Sequence, residues 1–138
     1  EYTLTEQDLL MQRRFHDVIA FAAYPPDVHL GFGNVDIHAQ GNRTYEIPYR
    51  SLLPQSIDGL LVAGRCISTE FRAQAGVRGM GPCMATGQAA GVAAAKASKE
   101  NTPPRELDIE ALQSSLAECG ALRISESRES PQMKTRIS

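Results

Sequence analysis

Tryptophan is absent from this 138-residue chain and aromatic residues make up only 6% of it, so a core must rest on aliphatic and alanine packing. Positive charge is not in excess: 14 Lys and Arg face 16 Asp and Glu. A net charge of −2 leaves no basic stripe for nucleic acid. No apolar run reaches membrane-spanning length, and the longest small-residue stretch is interrupted by Gln88 and Lys96. There is no initiating Met and no basic–apolar leader. The expectation is a cytoplasmic protein whose first residue is a boundary within a longer chain. Three cysteines, Cys66, Cys83 and Cys119, stand at irregular spacing, which argues against a disulfide framework. Together with His16, His29 and His38 they show no Cys-x-x-Cys or His-x-x-x-His spacing, so no metal site is expected. No Gly-x-Gly-x-x-Gly unit occurs. The cluster from Gly76 to Gly81 has the wrong spacing and follows no suitable strand, which argues against an independent nucleotide-binding module.

What remains is ordinary globular composition, 42% hydrophobic and 22% charged, in a length that suits one domain with a modest core. Thr5 followed by Glu6 and Asp8 predicts a helix start, with the helix fading near Arg13. The apolar run Val18–Tyr24 predicts a short strand stopped by Pro25 and Pro26. Residues 30–43 carry Gly31, Gly33, Asn34, Gly41 and Asn42, the chemistry of a loop or hairpin. Thr44–Arg50 is β-prone, and Pro48 within it marks an edge or irregular strand. After a turn at Pro54–Gly59, Leu60–Ala63 predicts a fully apolar strand covered on both faces. Pro82 suits the first turn of a helix that runs to about Lys99. Ile109, Leu112, Leu116 and Cys119 share one face of a second helix over Asp108–Cys119, which Gly120 ends. Residues 123–138 are rich in Ser, Arg and Glu, a composition that predicts disorder.

The order strand, Gly64-Arg65, loop, small-residue helix is the arrangement of a ligand cradle. In open α/β sheets ligands bind beyond the carboxyl ends of strands. Glycine there admits a ligand to the backbone, and arginine can pair with phosphate through two hydrogen bonds. The competing reading is a surface arginine after a buried strand. A helix N-terminus attracts anions. Its donors here would be backbone groups near Gly81, Cys83 and Met84, because Pro82 has no N–H. Arg78 precedes the glycines and either clamps an anionic substrate or is simply solvated. Glu70 and Arg72 read as surface residues of the intervening loop. In an extended Asp27-Val28-His29, the outer two side chains share a side, so Asp27 can set the His29 tautomer for proton transfer. Asp27 as a turn residue is the alternative. Tyr49 and Arg50 either line the cleft or belong to a paired edge strand. Gly87 and Gly91 have close-packing spacing that needs no chemistry.

Three stretches taken in order carry a resemblance: Tyr45-Glu46-Ile47-Pro48-Tyr49-Arg50-Ser51-Leu52-Leu53-Pro54, then Asp58–Ser68 with its Leu-Leu-Val-Ala-Gly-Arg-Cys, then Gly87-Gln88-Ala89-Ala90-Gly91. With the upstream Tyr24–His29, they resemble the C-terminal part of bacterial FAD-dependent oxidoreductases, distantly similar to the fumarate reductase and succinate dehydrogenase flavoproteins. The resemblance spans roughly Glu1 to Gly120. It implies an α/β fold, with residues 1–122 as the C-terminal fragment of an FAD-binding Rossmann-like flavoprotein and 123–138 as a polar tail. It implies FAD as cofactor, a small-molecule substrate, and a two-electron transfer to which this chain contributes the flavin-ring side. Gly64 and Arg65 would lie beside the ribityl–pyrophosphate. Gly81, Cys83 and Met84 would face the pyrimidine edge, where reduced flavin gathers negative charge. His29, Asp27 and Arg78 would serve catalysis. The family's opening glycine fingerprint is missing, so the fragment alone is expected to bind FAD weakly or not at all, to be inactive, and to self-associate through uncovered apolar surface. The reading set against this one is a structural or interaction domain that binds no flavin.

Overall fold

The computed structural model describes residues 1–23 and 44–121, together with the backbone of two short strands at 27–29 and 34–36. The first helix, α1 (Glu6–Leu10), opens with a complete capping box: Asp8 N–H donates to Thr5 Oγ1, and Thr5 N–H donates to Asp8. It ends earlier than expected, because Gln12 turns left-handed at φ 51° before the arginines. Strand β1 (Val18–Ala22) follows. Strands β2 (Asp27–His29) and β3 (Asn34–Asp36) pair antiparallel, with Asp27 opposite Asp36 and His29 opposite Asn34. The hairpin expected within 30–43 therefore starts earlier, at Asp27.

Strand β4 (Tyr45–Pro48) pairs antiparallel with β1, Ala20 opposite Ile47 and Ala22 opposite Tyr45, with a register shift between Val18 and Ala20. Pro48 sits at the end of this two-stranded ladder, as a residue without an N–H must. Tyr49–Leu52 then tightens into a 3₁₀ turn. Helix α2 (Phe71–Val77), helix α3 (Met80–Glu100) and helix α4 (Ile109–Glu118) complete the chain's described elements. The result is an α/β arrangement of short strands around one long helix.

α3 lies across β1 and packs on α4, while α1 packs on α2 and β4. The core collects Leu4, Phe15, Ile19, Ile47, Tyr49, Leu52, Leu112 and Leu116 with the alanines Ala89, Ala93 and Ala97 of α3. Small residues on that face bring the helix backbone close to the strands. Asn101, left-handed at φ 51°, closes α3, and Thr102 N–H reaches back to Ala97 O at 3.0 Å. Asp108 caps α4 through Oδ1 on the N–H groups of Glu110 (2.9 Å) and Ala111 (3.3 Å), and Gly120 leaves it at φ 70°. The expected second helix is thus present.

Two expectations need correction. Leu60–Ala63 is not a strand among the described residues: it is extended, but joins neither sheet, and Val62 N–H donates only to Leu52 O at 2.9 Å. The expected cover on both faces is absent as well: Leu60 is exposed and Leu61, Val62 and Ala63 are only partly buried, so apolar composition alone did not bring this segment to a ladder partner. Glu70–Arg72 is not a loop. Glu70 is the N-cap of α2, whose Ala73, Ala75 and Val77 are buried. Glu70 accepts the Glu6 N–H and Arg72 pairs with Glu6 at 3.2 Å, so both tie α2 to α1. Residues 122–138, and with them the tail expected to be disordered, lie outside the described residues, as does His38.

Candidate functional site

The extended segment that delivers Gly64 is anchored at its start by Arg105. That guanidinium pairs with Asp58 at 2.6 Å and with Glu1 at 2.8 Å, and reaches the carbonyls of Pro54 and Ile57, each at 3.3 Å. The turn Gly64–Cys66 follows, entered by Gly64 at φ 61°, a left-handed conformation that favours glycine. A side chain at Gly64 would also stand 3.5 Å from Cβ and Sγ of Cys83 on α3. The turn is held against α3 by a buried hydroxyl: Gly64 N–H donates to Thr86 Oγ1 at 3.0 Å, and that hydroxyl lies 2.8 Å from Pro82 O as donor.

Arg65 comes next and spans toward the α2–α3 junction. Its Nε donates to Arg78 O at 3.3 Å, and Gln74 Nε2 donates to Arg65 O at 3.3 Å. Cys83 Sγ–H also points at Arg78 O, at 3.5 Å. Arg65, Gln74, Arg78 and Gly79 line a cleft of about 490 Å³. Gly79 is the N-cap of the 21-residue α3 and offers no side-chain cap. Two arginines and a long helix's positive end therefore border one opening.

Sequence-predicted residues converge here in part. Gly64, Arg65, Arg78 and Cys83 are brought together. Gly81 lies in the first turn, and a Cβ there would meet nothing within 4 Å, so its backbone is approachable. Met84 is on the outer side of α3, 74% exposed, and Met80 is 81% exposed. The expected donor set shifts by a residue or two. Cys83 N–H is taken by Gly79 O at 3.1 Å, and Met84 N–H lies within the regular helix. Ahead of them, Met80 and Gly81 have no helical carbonyl one turn back. Asp27 and His29 sit on β2, which packs against α2, the helix leading to Arg78. Their side chains lie outside the described residues.

Tyr49 and Arg50 belong to the frame and not to the cleft. Tyr49 Oη donates to Pro104 O at 2.9 Å, and burial pushes its phenol up to about 12. Arg50 gives Asp17 three hydrogen bonds, from Nε (2.8 Å), its backbone N (3.1 Å) and Nη2 (3.2 Å), and lies 5.2 Å over the Tyr2 ring. Burial alone would raise the Asp17 carboxyl, but the Arg50 bonds outweigh it and hold the group below its usual value. Sequence reading missed Thr86, Gln74 and Asp17. The visible signal for Thr86 was a single hydroxyl on the first half of an otherwise Gly-, Ala- and Met-rich helix.

A family model described as FAD dependent oxidoreductase matches residues 1–116, most of the chain and every element around this cleft. The chain belongs to the FAD dependent oxidoreductase family. Comparison with curated proteins and with solved structures gives no match. Membership makes FAD the family's cofactor and oxidation–reduction its general chemistry. It also gives the Arg65–Arg78 cleft a group to be tested against: FAD carries a pyrophosphate and an electron-accepting ring edge, and both are anionic at some stage. Paired guanidinium groups, first-turn N–H groups and an open glycine backbone are the donor set such a group needs. No helix of the described residues is long and apolar enough to cross a membrane.

Proposed function

We propose that this chain supplies the flavin-ring side of an FAD site, as the C-terminal portion of a longer Rossmann-like oxidoreductase of bacterial type, distantly similar to fumarate reductase flavoproteins. The observation that carries this reading is the meeting of Arg65, Arg78 and the α3 N-terminus on one cleft, in a chain of this family. FAD, when bound, supplies two-electron transfer through its N5 position. The chain's own residues bind and orient. Arg65 pairs with an anionic oxygen of the cofactor. The N–H groups of Met80 and Gly81, with the helix dipole behind them, face negative charge. Arg78 clamps an anionic small-molecule substrate, and His29, oriented by Asp27, holds or releases the proton that accompanies the transfer. Three unpaired thiols suit a reducing compartment, so we place the enzyme in the cytoplasm.

The test uses the chain itself, titrated with FAD to millimolar concentration and followed residue by residue by NMR. The purified chain is expected to be colourless, retaining FAD weakly or not at all, while millimolar FAD should still populate the site enough to shift Arg65, Arg78, Met80 and Gly81. Arg65→Ala should abolish those shifts while leaving the spectrum of the core unchanged. Silence at all four positions would overturn the cofactor reading in favour of a domain that binds no flavin. A yellow preparation with stoichiometric FAD would show that the cofactor is held elsewhere.

A further inference from the structure

We propose that Thr86 is a positioning residue for the anion cleft: its buried hydroxyl latches the Gly64-Arg65 turn onto the first turn of α3. This rests on the cofactor reading above and names the residue that sets the geometry of that same site. Thr86 is only 1% exposed, although it lies on a helix whose neighbouring positions are largely glycine, alanine and methionine. An alanine there would satisfy helix propensity better and fit a small-residue face. The hydroxyl has a specific occupation. It accepts the Gly64 N–H at 3.0 Å and donates to Pro82 O at 2.8 Å, with Cys83 O at 3.2 Å as the alternative acceptor.

Both partners of that hydroxyl matter for the cleft. Gly64 is bonded to Arg65, so its N–H position fixes where the arginine departs from the turn. Pro82 and Cys83 lie in the helix turn whose N–H end opens on the cleft. One oxygen therefore joins the arginine-bearing turn to the dipole-bearing turn. The other restraints on Arg65, from Gln74 and from Arg78 O, are each 3.3 Å long and exposed. The Thr86 bond is the shortest of the three and the one sheltered from water, where competition by solvent is least. Without it, Gly64 is held only by the turn's own longer bonds, Cys66 N–H to Ala63 O at 3.2 Å and Ile67 N–H to Gly64 O at 3.4 Å, and glycine crosses φ space at little cost.

The test compares Thr86→Val, which keeps shape and removes the hydroxyl, with Thr86→Ala and with Thr86→Ser, which restores the hydroxyl. Inorganic pyrophosphate is the probe. Amide hydrogen exchange at Gly64 is read beside pyrophosphate affinity at the Arg65 and Arg78 resonances. In Val and Ala, Gly64 exchange should accelerate about tenfold, the factor a net hydrogen bond represents. Pyrophosphate binding should weaken about three- to tenfold, within that same factor, while exchange at Ile19, Ile47 and Leu112 stays unchanged. Ser should return both quantities to wild type. Should the Val variant not fold, Ala carries the comparison. Unchanged Gly64 exchange, or faster exchange with unaltered affinity, overturns the positioning role while leaving the cofactor reading intact. A wild-type protein whose Arg65 and Arg78 resonances ignore pyrophosphate overturns the cofactor reading, and the positioning role with it.

Discussion

Two kinds of glycine in this protein should respond to alanine in opposite directions. Gly87 and Gly91 lie inside α3, exposed, with nothing within 4 Å of where a Cβ would be. Glycine in a helix interior costs about 0.8–1 kcal/mol relative to alanine. Gly87→Ala with Gly91→Ala should therefore stabilise the chain by about 1.5–2 kcal/mol, since neither new methyl meets a neighbour. For a chain of this size, that raises Tm by about 5–7 °C. Gly76 is the contrary case. A Cβ there would stand 2.6 Å from Tyr45 Oη and 2.9 Å from Leu9 Cδ2. The Tyr45 hydroxyl is already committed, donating to Gly76 O at 2.7 Å, and both Tyr45 and Leu9 are buried. Overpacking costs about 1–3 kcal/mol, and a position near the end of the seven-residue α2 recovers little helix propensity. Gly76→Ala should lose about 1–2 kcal/mol net. Urea unfolding at low micromolar concentration, monitored by circular dichroism, reads both. A destabilised α3 double variant would refute the picture of an uncovered α3 face. A stabilised Gly76 variant would refute the packing of Tyr45 under α2.

Further outcomes follow from other parts of the molecule. Asp17 is a depressed carboxyl, so its contribution is present above the ordinary value of 3.8 and is lost as pH falls through the lower folded value; Asp17→Asn should flatten the acid limb of stability against pH, and an unaltered limb would show that Arg50 does not hold the charge. Leu60, Met80 and Met84 are exposed apolar side chains, and the chain should self-associate at high concentration; light scattering from a stable monomer would count against this. In a longer flavoprotein carrying this chain, His29→Ala should leave FAD bound but slow flavin reduction or reoxidation by substrate, measured by stopped-flow absorbance. Unchanged rates would return His29 to a structural place on the β2–β3 hairpin.

Local chemistry makes much of this protein legible along the chain. The Thr5 start of α1, the first-turn Pro82 of α3 and the Gly120 exit from α4 stand where their residues predicted, and the capping box at Thr5 and the Asp108 cap are decided by neighbours equally close in the chain. The ordered motifs that resemble a flavoprotein are likewise linear, and they lie within the residues 1–116 that the family model matches. Pairing is not local. Leu60–Ala63 is as apolar as any strand, yet whether it joins a ladder depends on what folding lays beside it, and among the described residues no strand pairs with it. The same holds for the cleft. Arg65 and Arg78 were visible as candidates, but the Thr86 hydroxyl that holds Gly64 and the Asp17 carboxylate that withdraws Arg50 into the frame are partners chosen across the fold. Sequence alone determined where α1, α3 and α4 form, though not α2, and which family the chain resembles, because propensity, capping and motif order act along the chain. Tertiary structure decided which polar groups are spent on the scaffold, because a hydrogen-bonding group is assigned by whatever folding brings within reach of it.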